Sequence, residues 1–198
     1  MKAIYFLFFV MFLTGCKPIL KTAYGIKNPK LEDKESIKKY LVKKEIDTTN
    51  VYVFKDLMAF ATASQKDLLS IPDAIFFNKK GNFVPYKETA NSCNANADKF
   101  LVDLKSFDHA VEDSTKKMND VFKLLKPSMN FRRSDINVFI TWTTYAGRLN
   151  KTKAFEWIKL IERAKKSGVD ISYYLVNCDF QKSWNLTDQQ KKQLNLKD

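Results

Sequence analysis

Three thiols, one imidazole and a set of aromatics between residues 142 and 184 are the side chains of this 198-residue chain with chemistry to offer. Cys16 closes Leu13-Thr14-Gly15-Cys16, where small residues precede a nucleophilic sulfur, an arrangement suited to proteolytic processing and acylation. Cys93 stands in a polar Asn91-Ser92-Cys93-Asn94 run, and Cys178 ends an apolar stretch. A thiol acts as nucleophile or redox centre only where its thiolate is accessible and stabilised, and no basic residue adjoins Cys93 in sequence to lower its pKa. Cys93 and Cys178 have the alternatives of bridging each other in an oxidising compartment or remaining two separate thiols, because sequence separation fixes no distance between them. His109 lacks cysteine or carboxylate partners at metal-ligand spacing, so neither a metal nor another cofactor is expected. Asp170 and Asp179 flank one apolar run without the pairing that an acid–base dyad needs. Phosphate loops, nucleophile elbows and metalloprotease helices are absent from the sequence.

The segment leading to Cys16 explains its sulfur. Met1-Lys2 supplies a basic start, and Ala3 to Leu13 an apolar run too short to span a bilayer comfortably. The Leu-Thr-Gly-Cys ending resembles the lipobox of bacterial lipoproteins. The resemblance implies that residues 1–15 are a signal peptide, that Cys16 carries diacylglycerol, and that membrane lipid is the first partner. Residues 16–28 have no periodic apolar pattern and read as a tether. Lys17, standing where an aspartate would retain an enteric lipoprotein at the inner membrane, implies a cell-envelope location at the outer membrane, facing the periplasm.

Residues 29–198 are long enough for a single domain with a sizeable core. Helical spacing of Ile37, Tyr40 and Leu41 predicts a helix over Leu31–Lys44, followed by a strand at Val51–Phe54 and a helix over Asp56–Leu69. Ala74–Phe77 and Asn82–Tyr86 read as a hairpin around Asn78-Lys79-Lys80-Gly81, with Pro85 marking an edge or an end. Helices are predicted over Ala95–Leu104 and His109–Leu125, the second with Val111, Met118, Val121, Phe122 and Leu125 on one stripe. Asp135–Trp142 is the strongest strand, apolar and β-branched enough for the centre of a sheet. A helix over Asn150–Lys166, capped by Gly168, leads to a strand at Asp170–Asn177, so residues 135–178 form a right-handed βαβ unit. Thr187–Leu194 is a final helix.

Ligands in open α/β sheets gather at the carboxyl ends of parallel strands, which draws attention to Trp142-Thr143-Thr144-Tyr145-Ala146-Gly147-Arg148-Leu149. A central strand ending in an aromatic, then a turn, then a helix resembles the thioredoxin-like proteins of bacterial envelopes over about residues 135–180, and the hairpin near Phe76–Phe83 extends the likeness. Aligning Gly147 on the family's glycine sets Tyr145 on its tryptophan, Ala146 on the attacking cysteine, Arg148 on the proline and Leu149 on the resolving cysteine. Both thiols are missing, and thiol–disulfide exchange needs a thiolate to attack and a second thiol to resolve. The run from Val176 to Trp184 also lacks the proline of the family's cis-proline loop. The resemblance implies an α/β fold with a thioredoxin-like mixed sheet flanked by helices, a helical insertion and an N-terminal helical extension. The hairpin comes earlier than in a plain thioredoxin domain, either as a leading hairpin or in the terminal position by permutation.

Trp142, Tyr145, Arg148 and Trp184 are the residues by which such a turn would contact a ligand or partner, although aromatics of this kind commonly fill the core. The formal net charge is +12. Its lysines are spread along the chain among acids, with no dense arginine run, which argues against nucleic acid as a partner. The expected function is that of a membrane-anchored, non-catalytic binding or scaffolding module with an envelope protein partner. The alternative is a redox enzyme working through Cys93 alone.

Overall fold

The computed structural model describes residues 22–87, 96–127 and 133–196. Along the chain run α1 (Lys34–Lys43), β1 (Val51–Phe54), α2 (Leu57–Gln65), β2 (Asp73–Asn78), β3 (Asn82–Val84), α3 (Asn96–Val102), β4 (Asp113–Lys117), α4 (Met118–Leu124), β5 (Leu125–Lys126), β6 (Ile136–Trp142), α5 (Phe155–Lys166), β7 (Ile171–Asn177) and α6 (Asp188–Gln193). The seven strands form one mixed sheet in the order β4-β3-β2-β6-β7-β1-β5. Among the described residues no helix is long and apolar enough to cross a membrane.

The apolar content of β6 places it mid-sheet, with all seven residues buried. Its period-2 side chains feed two cores. Ile136, Val138, Ile140 and Trp142 join Ile37 and Leu41 of α1, Leu101 of α3 and Ile158 and Ile161 of α5 on one face. Phe139 points the other way, to Ala59 and Ala63 of α2 and Met118 and Val121 of α4. The β6–α5–β7 crossover yields a parallel pair in register from Ile136 opposite Ile171 to Trp142 opposite Asn177. On the other side of β6, β2 runs antiparallel, with Asp73 opposite Thr141. Thr141 is buried there, and its hydroxyl accepts the Asp73 amide at 2.8 Å, pinning the start of β2 beside the end of β6. Gly81 turns the β2–β3 hairpin at φ +78°, the conformation that glycine adopts without steric cost.

The structure corrects the helix expected over His109–Leu125. His109 ends a 3₁₀ turn, Asp113–Lys117 is a strand beside β3, and only Met118–Leu124 is helical. The stripe that suggested one helix included Val111, which is 82% exposed. Asp113-Ser-Thr-Lys-Lys has no apolar face to bury in a helix, and its backbone is better used in closing the edge that β3 would otherwise present. The insertion between α3 and β6 is therefore mixed rather than helical, and β3 is an inner strand that ends before Pro85.

Candidate functional site

The turn after β6 is a 3₁₀ turn, Thr144–Ala146, followed by Gly147 and then a π-helical turn over Asn150–Ala154 that widens the start of α5. Asn150 is fully buried and directs this opening: its Nδ2 donates to the Thr143 carbonyl at 2.6 Å and to the Tyr40 hydroxyl at 2.9 Å. Gly147 has φ +60° and ψ −127°, a backbone state that side chains disfavour. It is also a point of close approach. A Cβ there would lie 2.3 Å from the Tyr24 carbonyl oxygen and 2.4 Å from that of Gly25.

The chain just before α1 thus lies directly on the turn, although residues 22–28 carry no apolar pattern. The Lys27 amide donates to the Tyr145 carbonyl at 2.9 Å. Farther along, Glu32 makes a parallel bridge with Gln181: its amide donates to Phe180 O and its carbonyl accepts from the Lys182 amide, both at 2.8 Å. These backbone bonds drag the Glu32 carboxylate inside, where it is 2% exposed beside Asp179 at 1%.

The two acids share the Thr144 hydroxyl. Thr144 Oγ1 lies 2.8 Å from Glu32 Oε1 and 3.1 Å from Asp179 Oδ1, while the Thr144 amide and Asn177 Nδ2 donate to Asp179 Oδ2 at 2.8 and 2.6 Å. A threonine hydroxyl carries one hydrogen. It can donate to one carboxylate only, so the second contact becomes a hydrogen bond when that acid is itself protonated. Burial, with Glu32 adding its charge, raises the Asp179 carboxyl from 3.8 to about 6 despite the opposing hydrogen bonds. Lys30, 3.3 Å from Glu32 Oε1, is the cation at the rim. The same burial, together with the Asp179 charge, raises Tyr145.

Because the folded Asp179 pKa lies above its ordinary value, this group's contribution to stability is full below about pH 4 and is lost as pH rises through 6. A difference of about two pKa units corresponds to roughly 3 kcal/mol. Asp179→Asn reproduces the protonated arrangement: its amide donates to Thr144 Oγ1, which then donates to Glu32. Urea denaturation of wild type and variant at pH 4 and pH 7.5 is expected to show the variant gaining on wild type by about 2–3 kcal/mol at the higher pH. Parallel pH dependences would mean that Asp179 does not take up a proton on folding.

The other expected site residues separate. Trp142 is fully buried, stacked on Tyr40 at 5.6 Å between ring centres. Trp184 lies with the opposite core, where its indole donates to Phe54 O at 3.1 Å and its ring packs on Phe60. Tyr145 and Arg148 share the turn, half-buried and exposed respectively. In the positions aligned with the two thiols, the Ala146 methyl is 5% exposed and Leu149 is half-buried. Cys178 is a free thiol at 1% exposure, its amide bound to Trp142 O, and burial pushes its pKa up, the reverse of what a reactive thiolate requires. Cys16 and Cys93 lie outside the described residues. His109 is exposed, and among the described residues no group of three or more His, Cys, Asp or Glu side chains is placed to hold a metal ion.

Sequence reasoning missed Glu32 and Thr144 and weighed Asp179 only beside Asp170, finding no dyad in that pair. The only trace was position: Asp179 follows directly on the parallel strand that neighbours β6, where polar residues from several loops converge. Comparison with protein-family models, curated proteins and solved structures finds no match.

Proposed function

We propose that this chain is a membrane-anchored, non-catalytic lipoprotein of the bacterial envelope, with a thioredoxin-like body that serves as a binding or scaffolding module. The observation that carries the reading is the turn after β6. It bears Ala146 and Leu149 where the resembling family bears thiols, and the chain's own backbone at Tyr24 and Gly25 sits on it. No electron-transfer chemistry is available to an alanine and a leucine.

The thioredoxin-like part is supported by arrangement. A parallel pair joined through a helix, β6–α5–β7, has an antiparallel hairpin on the far side of its first strand and a further parallel strand, β1, beside its second. Pro72, at the start of β2, stands beside the end of β6, the place of the family's proline loop, reached here from earlier in the chain. The hairpin stands beside β6, and β1, which pairs with β7, precedes it in the chain. The anchor rests on Leu13-Thr14-Gly15-Cys16.

Two measurements test the proposal. Cys16→Ser is expected to leave an unlipidated precursor that no longer floats with membranes, since acyl chains supply the attachment. Unchanged flotation and lipid content would remove the anchor. The wild-type protein is expected to reduce insulin no faster than a blank. Reduction that Cys93→Ser abolishes would replace the module with a one-thiol enzyme.

A further inference from the structure

We propose that the groove between α1 and the outer edge of the sheet is a binding site for a free medium-chain fatty acid, with its carboxylate toward Lys34 and Lys126 and its acyl chain along Ile37, Val51 and Val53. The inference goes beyond the scaffolding reading and rests on neither the anchor nor the family likeness.

The groove encloses about 550 Å³, within the roughly 300–1,000 Å³ usual for small-molecule sites. Among the described residues β5 covers β1 at Val53 and Phe54 alone, so no strand pairs with the outer edge of the first half of β1 beside α1. Val51 and Val53 from β1, half-buried, face the groove, and Ile37 and Leu41 from α1 lie buried beneath them at 3% and 0% exposure. The helix starts beside residues 181–182 and the chain returns through Thr48 and Thr49 into β1, so the groove runs lengthwise along the strand. Four strand residues at ~3.3 Å each give it a length of about 13 Å. An apolar trough of this length suits a medium-length alkyl chain better than a polar molecule.

The charge is one-sided. Lys34 and Lys38, one helical turn apart, line one wall, and Lys126 lines the other, its Nζ 2.8 Å from Ser183 Oγ. The one acid lining the groove, Asp33, is already engaged: the Lys182 ammonium at 2.5 Å holds its carboxyl down at about 2. Lys34 and Lys38 have no acid partner among the described residues. A neutral hydrocarbon would leave these ammonium groups facing one another across an apolar floor, whereas a single carboxylate at the Lys34–Lys126 end complements them. Gln181 and Ser183, at the same end, add polar groups that fix a head rather than a tail.

The test uses the full chain in phosphatidylcholine nanodiscs and a 10-carbon fatty acid carrying a diazirine at its methyl end. Irradiation is expected to label peptides spanning residues 37–53. Decanoic acid is expected to compete at least tenfold better than decanol, which has the same chain without the charge. Lys34→Glu combined with Lys126→Glu is expected to weaken labelling at least tenfold, and Val53→Trp, which fills the trough, to abolish it. The lysine positions are solvent-accessible, so the charge reversal decides the matter even where the tryptophan variant fails to fold. Labelling scattered over the surface, equal competition by decanol, or equal labelling of the same peptides by a diazirine phosphatidylcholine in the bilayer would each overturn the assignment.

Discussion

Phe139→Asp is expected to leave no cooperative fold at 25 °C. Phe139 is fully buried at mid-strand, opposite Ile75 on one neighbour and Tyr174 on the other. Its ring meets Phe77 at 5.5 Å and Phe122 and Tyr174 at 5.0 Å, and no lysine or arginine is buried among the described residues. Removing such a ring costs about 3–5 kcal/mol and leaving a carboxylate among apolar groups several more, against a total stability of about 5–15 kcal/mol for a typical domain. Phe139→Leu, by contrast, is expected to remain folded. Thermal melts followed by circular dichroism decide: an aspartate variant melting within about two degrees of wild type would mean that β6 is not an interior strand.

The second large effect is expected at Gly147. Gly147→Ala places a methyl carbon against three backbone atoms, at 2.3 Å from Tyr24 O, 2.4 Å from Gly25 O and 2.6 Å from Gly25 C, none of which belongs to a yielding side chain. The positive φ adds strain of about 1–3 kcal/mol. Of the two partners, the turn is continuous with β6 and α5 and cannot shift without disturbing the core, so residues 22–31 move. The expected result is a folded body with stability reduced by about 2–4 kcal/mol, a deprotected Lys27 amide in hydrogen exchange and accelerated tryptic cleavage after Lys27 and Lys30. Gly25→Ala is the control, because Gly25 has a similar φ of +62° but a Cβ there meets nothing within 4 Å. Unchanged exchange at Lys27 in the Gly147 variant would contradict the close approach.

Local patterns announced the elements whose burial is continuous along the chain. β6, β7 and α5 were legible because seven buried strand residues, or Phe155, Ile158 and Ile161 at helical spacing, leave a signature that needs no partner to be read. The β2–β3 hairpin was legible through Gly81. What escaped depends on contacts between distant parts of the chain. Asp113–Lys117 looks like surface and is a strand only because β3 lies beside it. Glu32 resembles any solvated acid until Phe180 and Lys182 bind its backbone and carry the side chain under the turn. Trp142 and Trp184 were grouped by residue type, but their side chains belong to cores on opposite faces of the sheet. The groove beside α1 borders an edge of β1 that the two residues of β5 cover only in part, a length that no composition or period encodes.

The backbone bonds that hold residues 22–32 give the body a mechanical character. A pull applied to the chain at Thr22 reaches the Lys27–Tyr145 bond before the pair of bonds flanking Glu32, so these contacts open one after another, as a seam is peeled. Releasing ten residues adds up to about 35 Å of slack, so the body can be drawn away from a fixed point by more than its own core thickness while its folded interior stays intact.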